Sequence, residues 1–189
     1  TKKVGHAGTL DPMATGVLVC VVERATRLQD RLVHGDKEYL ATMRLGATTV
    51  SDDADGEILT APGCDRAPSP QALEAALAPW RGDVMQRPAT VSALKVDGQR
   101  AHARVRAGEQ VELASRPVTV HELVALEVRA GHDERLGLDV VDVDLRVRCS
   151  PGTYVRALAR DIGSALGCGA HLVALRRTVV APFGLDDAA

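Results

Sequence analysis

Aromatic residues are scarce in this sequence. Its 189 residues include one Trp, one Phe and two Tyr, 2% of the chain, although 46% of the residues are hydrophobic. A core here is therefore built from Val, Leu, Ile and Ala. The two tyrosines, Tyr39 and Tyr154, are worth following.

Long apolar runs are missing too. Gly16-Val17-Leu18-Val19-Cys20-Val21-Val22 falls far short of the roughly 20 residues that a membrane-spanning helix needs. No apolar signal core follows Thr1-Lys2-Lys3, so the start reads as a cut or disordered beginning, not a secretion signal. Cys20, Cys64, Cys149 and Cys168 form no C-x-x-C pair. That spacing speaks against a zinc site and for reduced, buried thiols in a cytosolic protein.

An excess of charge is likewise absent, with a net value of −2. This argues against a simple polyanion-binding protein, but the charges are unevenly spread. Residues 146 to 177 hold Arg146, Arg148, Arg156, Arg160, Arg176 and Arg177 against Asp161 alone. The acids cluster elsewhere, at Asp52, Asp53, Asp55, Glu57 and Asp65, and again at Asp133, Glu134, Asp139, Asp142 and Asp144. The surface expected from this is bipolar, its basic face fitted to nucleic acid or simply solvated.

The pattern of elements is that of one α/β unit without repeats. A glycine-rich loop, Gly5 to Gly16, precedes a buried strand over Gly16 to Val22 and a helix over Ala25 to Val33. Lys37 to Leu45 alternates as a strand with Tyr39, Ala41, Met43 and Leu45 on one face. After a loop over 46–68, Ser69-Pro70 opens a helix through Trp80 as N-cap and first-turn proline. Short strands are expected at Asp83 to Gln86 and Thr90 to Val96, a turn at Asp97-Gly98 and a basic helix over Ala101 to Ala107. Val118 to Val128 and Leu138 to Cys149 read as long strands whose connection is too short for a parallel crossover. A helix over Thr153 to Leu166 and a strand over Leu172 to Val180 finish the pattern. The expected fold is α/β (α+β), with a mixed, largely antiparallel central sheet and flanking helices.

Two segments are equipped for chemistry. In the opening loop Asp11 precedes Pro12, which holds it out of helical backbone so that it projects from the loop, as a reactive carboxylate or as the cap of an Asx turn. Around Cys149-Ser150-Pro151-Gly152-Thr153-Tyr154-Val155-Arg156 a strand end becomes a helix start, where free N–H groups favour an anion. Arg156 sits in that first turn against the helix dipole, so something acidic should face it: a phosphate, a catalytic aspartate or an ordinary salt-bridge partner.

These residues resemble the TruB-type tRNA pseudouridine synthases. The loop Gly5-His6-Ala7-Gly8-Thr9-Leu10-Asp11-Pro12 matches that family's nucleophile motif. Lys37-Glu38-Tyr39, Ser92-Ala93-Leu94-Lys95-Val96-Asp97-Gly98, Gly152-Thr153-Tyr154-Val155-Arg156 and Leu175-Arg176-Arg177 follow in family order. The resemblance runs from Lys3 to Thr178 and implies the pseudouridine synthase catalytic fold and isomerisation of uridine 55 in the tRNA T-loop, without metal or cofactor. It makes Asp11 the catalytic carboxylate, as nucleophile or base, and Arg156 the cation that orients it. Tyr39 would stack on the flipped uracil and handle its C5 proton, while Tyr154 and the backbone of Leu175 touch the base. His6 would fill the space the extruded nucleotide leaves in the RNA.

By the same resemblance, residues 87–116 form an insertion that clasps the T-arm, with Lys95, Arg100, Arg104 and Arg106 on phosphates, joined there by Arg176 and Arg177. Residues 1–189 are expected to form the catalytic domain, lacking the family's N-terminal segment and its C-terminal PUA-type RNA-binding domain. The expected protein is a cytoplasmic monomer whose partner is tRNA and which touches no membrane. Two other classes compete with the isomerase: a non-catalytic tRNA-folding module, and an aspartate-nucleophile hydrolase of small nucleosides.

Overall fold

Alternation of apolar and polar residues along Lys37–Leu45 produces the strand at the middle of the molecule. The computed structural model describes residues 3–89, 95–96, 99–100 and 113–188, with backbone alone for 95–96 and 99–100. Near the N-terminus, β1 (Val4–His6), β2 (Thr15–Gly16) and β3 (Cys20–Val22) precede a 3-10 turn at Glu23–Leu28 and the short helix α1 (Gln29–Val33). Then come β4 (Lys37–Leu45), β5 (Thr48–Thr49), β6 (Ile58–Thr60), α2 (Pro70–Leu77) and β7 (Gly82–Gln86). A small pair, β8 (Lys95–Val96) and β9 (Gln99–Arg100), precedes β10 (Arg116–Asp133) and β11 (Leu138–Cys149). The chain continues as α3 (Val155–Ala165), β12 (Ala170–Val180) and β13 (Phe183–Gly184).

The main sheet runs β13-β12-β4-β11-β10-β7, antiparallel throughout except that β2 joins β12 in parallel. The mixed, largely antiparallel sheet expected from the sequence is thus the one observed. Register brings Tyr39 opposite Val147 on one side and Arg177 on the other, so β4 sits between the two strands that flank α3 in the chain. One face packs on the helices: Ala41, Met43 and Leu45 of β4, Val143, Leu145 and Val147 of β11 and Leu172 of β12 meet Leu158 and Ile162 of α3 and Leu73 and Leu77 of α2. These aliphatic residues make a core that needs no aromatic ring, each fully buried Leu or Ile contributing about 1.5–3 kcal/mol. α3 buries Val155, Leu158, Ala159 and Ile162 at helical spacing. α2 starts as its sequence requires, the Ala72 amide donating to Ser69 Oγ at 3.2 Å.

Three expectations are corrected. The run Gly16 to Val22 is not one buried strand: β2 pairs with β12, β3 pairs with β1, and Leu18 and Val22 are each 44% exposed. Gly16, at φ +100°, breaks the run, and the two halves find hydrogen-bond partners on different strands. The helix over Ala25 to Val33 begins instead as a 3-10 turn, with Leu28 exposed. Only Cys149 of the four thiols is buried, and Cys20 is exposed. β8 and β9 pair antiparallel, Lys95 with Arg100 and Val96 with Gln99, and the turn expected at Asp97-Gly98 lies outside the described residues. The basic helix expected over Ala101 to Ala107, with Arg104 and Arg106, lies outside the described residues.

The start of α3 is tied to the sheet edge by one side chain. Gln86, 1% exposed at the end of β7, accepts from the Tyr154 amide at 2.8 Å and donates to the Tyr154 carbonyl at 3.0 Å. Gln86→Ala removes both bonds inside the protein and is expected to cost about 1–3 kcal/mol. A thermal or urea melt showing wild-type stability would contradict this role.

Candidate active site

The loop before β2 is shaped by its glycines. Gly8 takes φ +105° and Gly16 φ +100°, backbone that other residues rarely adopt, and a turn closes between them as the Ala14 amide donates to the Asp11 carbonyl at 2.9 Å. Asp11 stands at the head of this turn with its side chain 31% exposed. Facing it, from the first turn of α3, is Arg156, whose side chain is 6% exposed. Its Nη2 and Nε donate to the two Asp11 oxygens at 2.9 and 3.1 Å, a bidentate grip that sets the carboxylate plane as well as its position. Of the partners the sequence left open for Arg156, the structure supplies the aspartate.

Arg156 is held from behind as well. Its Nη1 donates to the Ser51 carbonyl at 2.7 Å and lies 3.3 Å from Asp53 Oδ2. Asp53 is buried and is itself fixed by Ser51 Oγ at 2.5 Å and the Asp55 amide at 3.1 Å. Beside it Asp52, at φ 60°, pairs with Arg160 at 3.0 Å. The Leu172 amide donates to the Asp52 carbonyl at 3.0 Å, pinning the acidic loop to β12. Burial pushes the Asp52 carboxyl up to about 6, with Arg160 and then Arg156 opposing the shift.

Asp11 and Arg156 open onto a cleft of about 320 Å³, which Tyr39, Tyr154, Leu175, Lys37 and Arg177 also line. That is the lower end of the range for small-molecule sites. Asp11 is the one carboxylate among its described lining residues. Burial pushes the Tyr39 phenol up to about 12, Cys149 adding to the shift and Arg177, whose side chain hydrogen-bonds it, opposing it, so at neutral pH the ring carries its proton. Lys37 caps α1, its ammonium donating to the carbonyls of Val33 and Gly35. Its pKa is lowered, by burial first and by Arg177 next.

Five of the six residues expected in catalysis or base contact therefore share this cleft. His6 does not: it is exposed on β1, outside the lining. The arginines between 146 and 177, expected on one basic face, are divided among different settings. Arg146 pairs with Glu122 at 2.6 Å, Arg156 and Arg160 with buried aspartates, and Arg148 and Arg176 remain exposed. Arg177, expected on RNA phosphates, is 2% exposed and spends its guanidinium on main-chain carbonyls and the Tyr39 side chain. The alternation of β12 carries the signal for that difference, since neighbours in a strand face opposite ways. Lys95 and Arg100 lie in β8 and β9, of whose side chains nothing is described.

A family model described as "TruB family pseudouridylate synthase (N terminal domain)" matches residues 1–155. The chain belongs to the TruB family. A second model, "tRNA pseudouridylate synthase B C-terminal domain", matches residues 156–189. The two segments of this TruB-family chain therefore meet inside the first turn of α3, and the Asp11–Arg156 pair joins one to the other. Proteins named tRNA pseudouridine synthase B from Arthrobacter sp. (strain FB24) and Nocardia farcinica (strain IFM 10152) are 56% and 57% identical over 188 residues. Those matches take in 100% of this chain and 60% and 59% of the two proteins, so the chain spans about three-fifths of the length of these curated relatives. Among solved structures, a chain of the "Crystal Structure of a Cbf5-Nop10-Gar1 Complex" superposes with a TM-score of 0.65 at 32% identity, covering 97% of this chain and 42% of that one.

A carboxyl whose pKa folding raises keeps its proton between about pH 4 and 6, where the unfolded chain has already released it. Asp52 thus favours the folded state at low pH, and that contribution is lost as pH rises through 6. A carboxyl-carbon NMR titration of Asp52 is expected to show a midpoint near 6, moving higher in Arg160→Gln. A midpoint near 4 would contradict the burial argument.

Proposed function

We propose that this chain is the catalytic part of a tRNA pseudouridine synthase that converts uridine 55 of the T-loop to pseudouridine. The observation that carries the reading is Asp11 in the bidentate grip of buried Arg156, within one cleft with Tyr39 and Tyr154. Identity of 56% and 57% across the whole of this chain to proteins named tRNA pseudouridine synthase B supports it.

The reaction breaks the bond from C1′ to N1 of the uracil and forms one from C1′ to C5, while a proton leaves C5 and one is gained at N1. It is redox-neutral and requires neither metal nor cofactor. Asp11 serves it as nucleophile on the ribose or base, or as base toward the proton that must move. Arg156 aims the carboxylate and Asp53 keeps Arg156 from following it. Flipping the base out of the T-arm costs a few kcal/mol, and stacking on an aromatic ring returns about 1–3 kcal/mol. Tyr39 supplies that ring and handles the proton at C5.

Within this reading residues 1–189 act as one catalytic domain and 87–116 as the element that holds the T-arm through Lys95, Arg100, Arg104 and Arg106, aided by exposed Arg176. The enzyme works as a cytoplasmic monomer. Asp11→Asn is expected to lower tritium release from 5-tritiated T-arm RNA by more than about a thousandfold while RNA affinity stays within about threefold. Full activity in Asp11→Asn sinks the assignment of Asp11. A wild type that binds T-arm RNA tightly and never forms pseudouridine makes the chain a non-catalytic tRNA module, and turnover of free uridine would favour a nucleoside hydrolase.

A further inference from the structure

The Asp11 carboxylate is gripped by Arg156, but nothing in that contact sets where the Asp11 backbone lies. The largest fully buried side chain in the described structure is Arg177, at 2% exposure. Taking a guanidinium out of water costs several kcal/mol unless its N–H groups are used. Arg177 uses them on the loop: Nε donates to the Val17 carbonyl at 2.8 Å, Nη2 to the Gly8 carbonyl at 3.0 Å and Nη1 to the Thr9 carbonyl at 3.3 Å. These three acceptors are peptide carbonyls, and the side chain also hydrogen-bonds Tyr39. Gly8 and Thr9 belong to the limb entering the Asp11 turn, and Val17 belongs to the limb leaving it.

The main chain of Arg177 joins in. Its carbonyl accepts from the Val17 amide at 2.8 Å, and the Arg177 backbone lies so close to Gly16 that a Cβ there would stand 2.1 Å from the Arg177 carbonyl oxygen. Arg177 is also the β12 residue in register with Tyr39. One residue thus refers the two limbs of the Asp11 loop and the strand position of Tyr39 to a common point.

We propose that Arg177 is a positioning residue that clamps both limbs of the Asp11 loop and so places Asp11 over the cleft, a role that rests on the isomerase reading above. The two arginines act on different parts of the same residue. Arg156 sets the direction of the carboxylate, and Arg177 sets the place of the backbone that carries it. A lysine cannot replace Arg177, because one compact ammonium does not span carbonyls on two separate limbs as the planar guanidinium does.

The test compares wild type, Arg177→Lys and Arg177→Gln by three measurements. These are the single-turnover rate on T-arm RNA, the Kd for the same RNA, and amide hydrogen exchange at Ala14, whose N–H donates to the Asp11 carbonyl. The expected result for both variants is a rate about a hundredfold lower, the loss that a misplacement of about 1 Å produces. Kd is expected within about threefold of wild type. Protection at Ala14 should fall at least about tenfold while that of Met43 in β4 is retained, a local loosening. Wild-type rate and Ala14 protection in Arg177→Lys overturn the proposal, as does a loss that lies wholly in Kd. Failure of both variants to fold assigns Arg177 to overall stability and also overturns it. If the wild type makes no pseudouridine the isomerase reading fails, and the exchange measurement then decides the clamp alone: lost protection at Ala14 upholds it and unchanged protection removes it.

Discussion

A guanidinium buried in the first turn of a helix is the constraint around which the described structure is arranged. Arg156 sits where the helix dipole disfavours a cation and where water does not solvate it, so its charge has to be met by protein groups on more than one side. Asp11 meets it from the cleft and Asp53, with the Ser51 carbonyl, from the interior. Those partners come from a loop near residue 10 and a loop near residue 52. The fold must bring both to the end of β11 where α3 begins, and the sheet order does so by placing β4 between β11 and β12.

Several other charged groups among the described residues are used in the same way. Arg160 pairs with Asp52 and Asp161, Arg44 with Asp133 and Asp142, and Arg129 with Asp144. What reads along the chain as separate acidic and basic runs becomes a set of cross-links between elements. Arg177 extends the pattern to a buried cation met by three main-chain carbonyls and the Tyr39 side chain. The loop that carries Asp11 makes no sheet of its own over its middle, and it keeps its shape because donors from β12 reach its carbonyls.

Local signals carried far in the sequence. Alternation over Lys37 to Leu45, the Ser69-Pro70 cap and the Val-rich Leu138 to Cys149 each mark an element whose hydrogen bonds are satisfied within itself or by one regular neighbour. Period and capping therefore identify it. Gly16 to Val22 misled for the opposite reason: seven apolar residues suit a buried strand, but their backbone partners lie on two different strands. The acidic cluster that begins at Asp52 and Asp53 shows no partner in its own stretch of sequence, because Arg156 and Arg160 lie about 105 residues away. Arg176 and Arg177 carry identical chemistry, and only the strand's alternation separates an exposed side chain from a buried one.

The aromatic poverty of the chain acquires its meaning from this arrangement. An aliphatic core was determined by composition, and Asp11, Tyr39, Tyr154 and Arg156 were marked as a chemical set by the resemblance of their motifs to those of the TruB family. Which charge faces which, that both tyrosines line one cleft, and that Arg177 turns inward were decided only by the tertiary structure. Pairing energies between charged groups depend on distance and burial, and neither exists until strands remote in sequence are laid side by side.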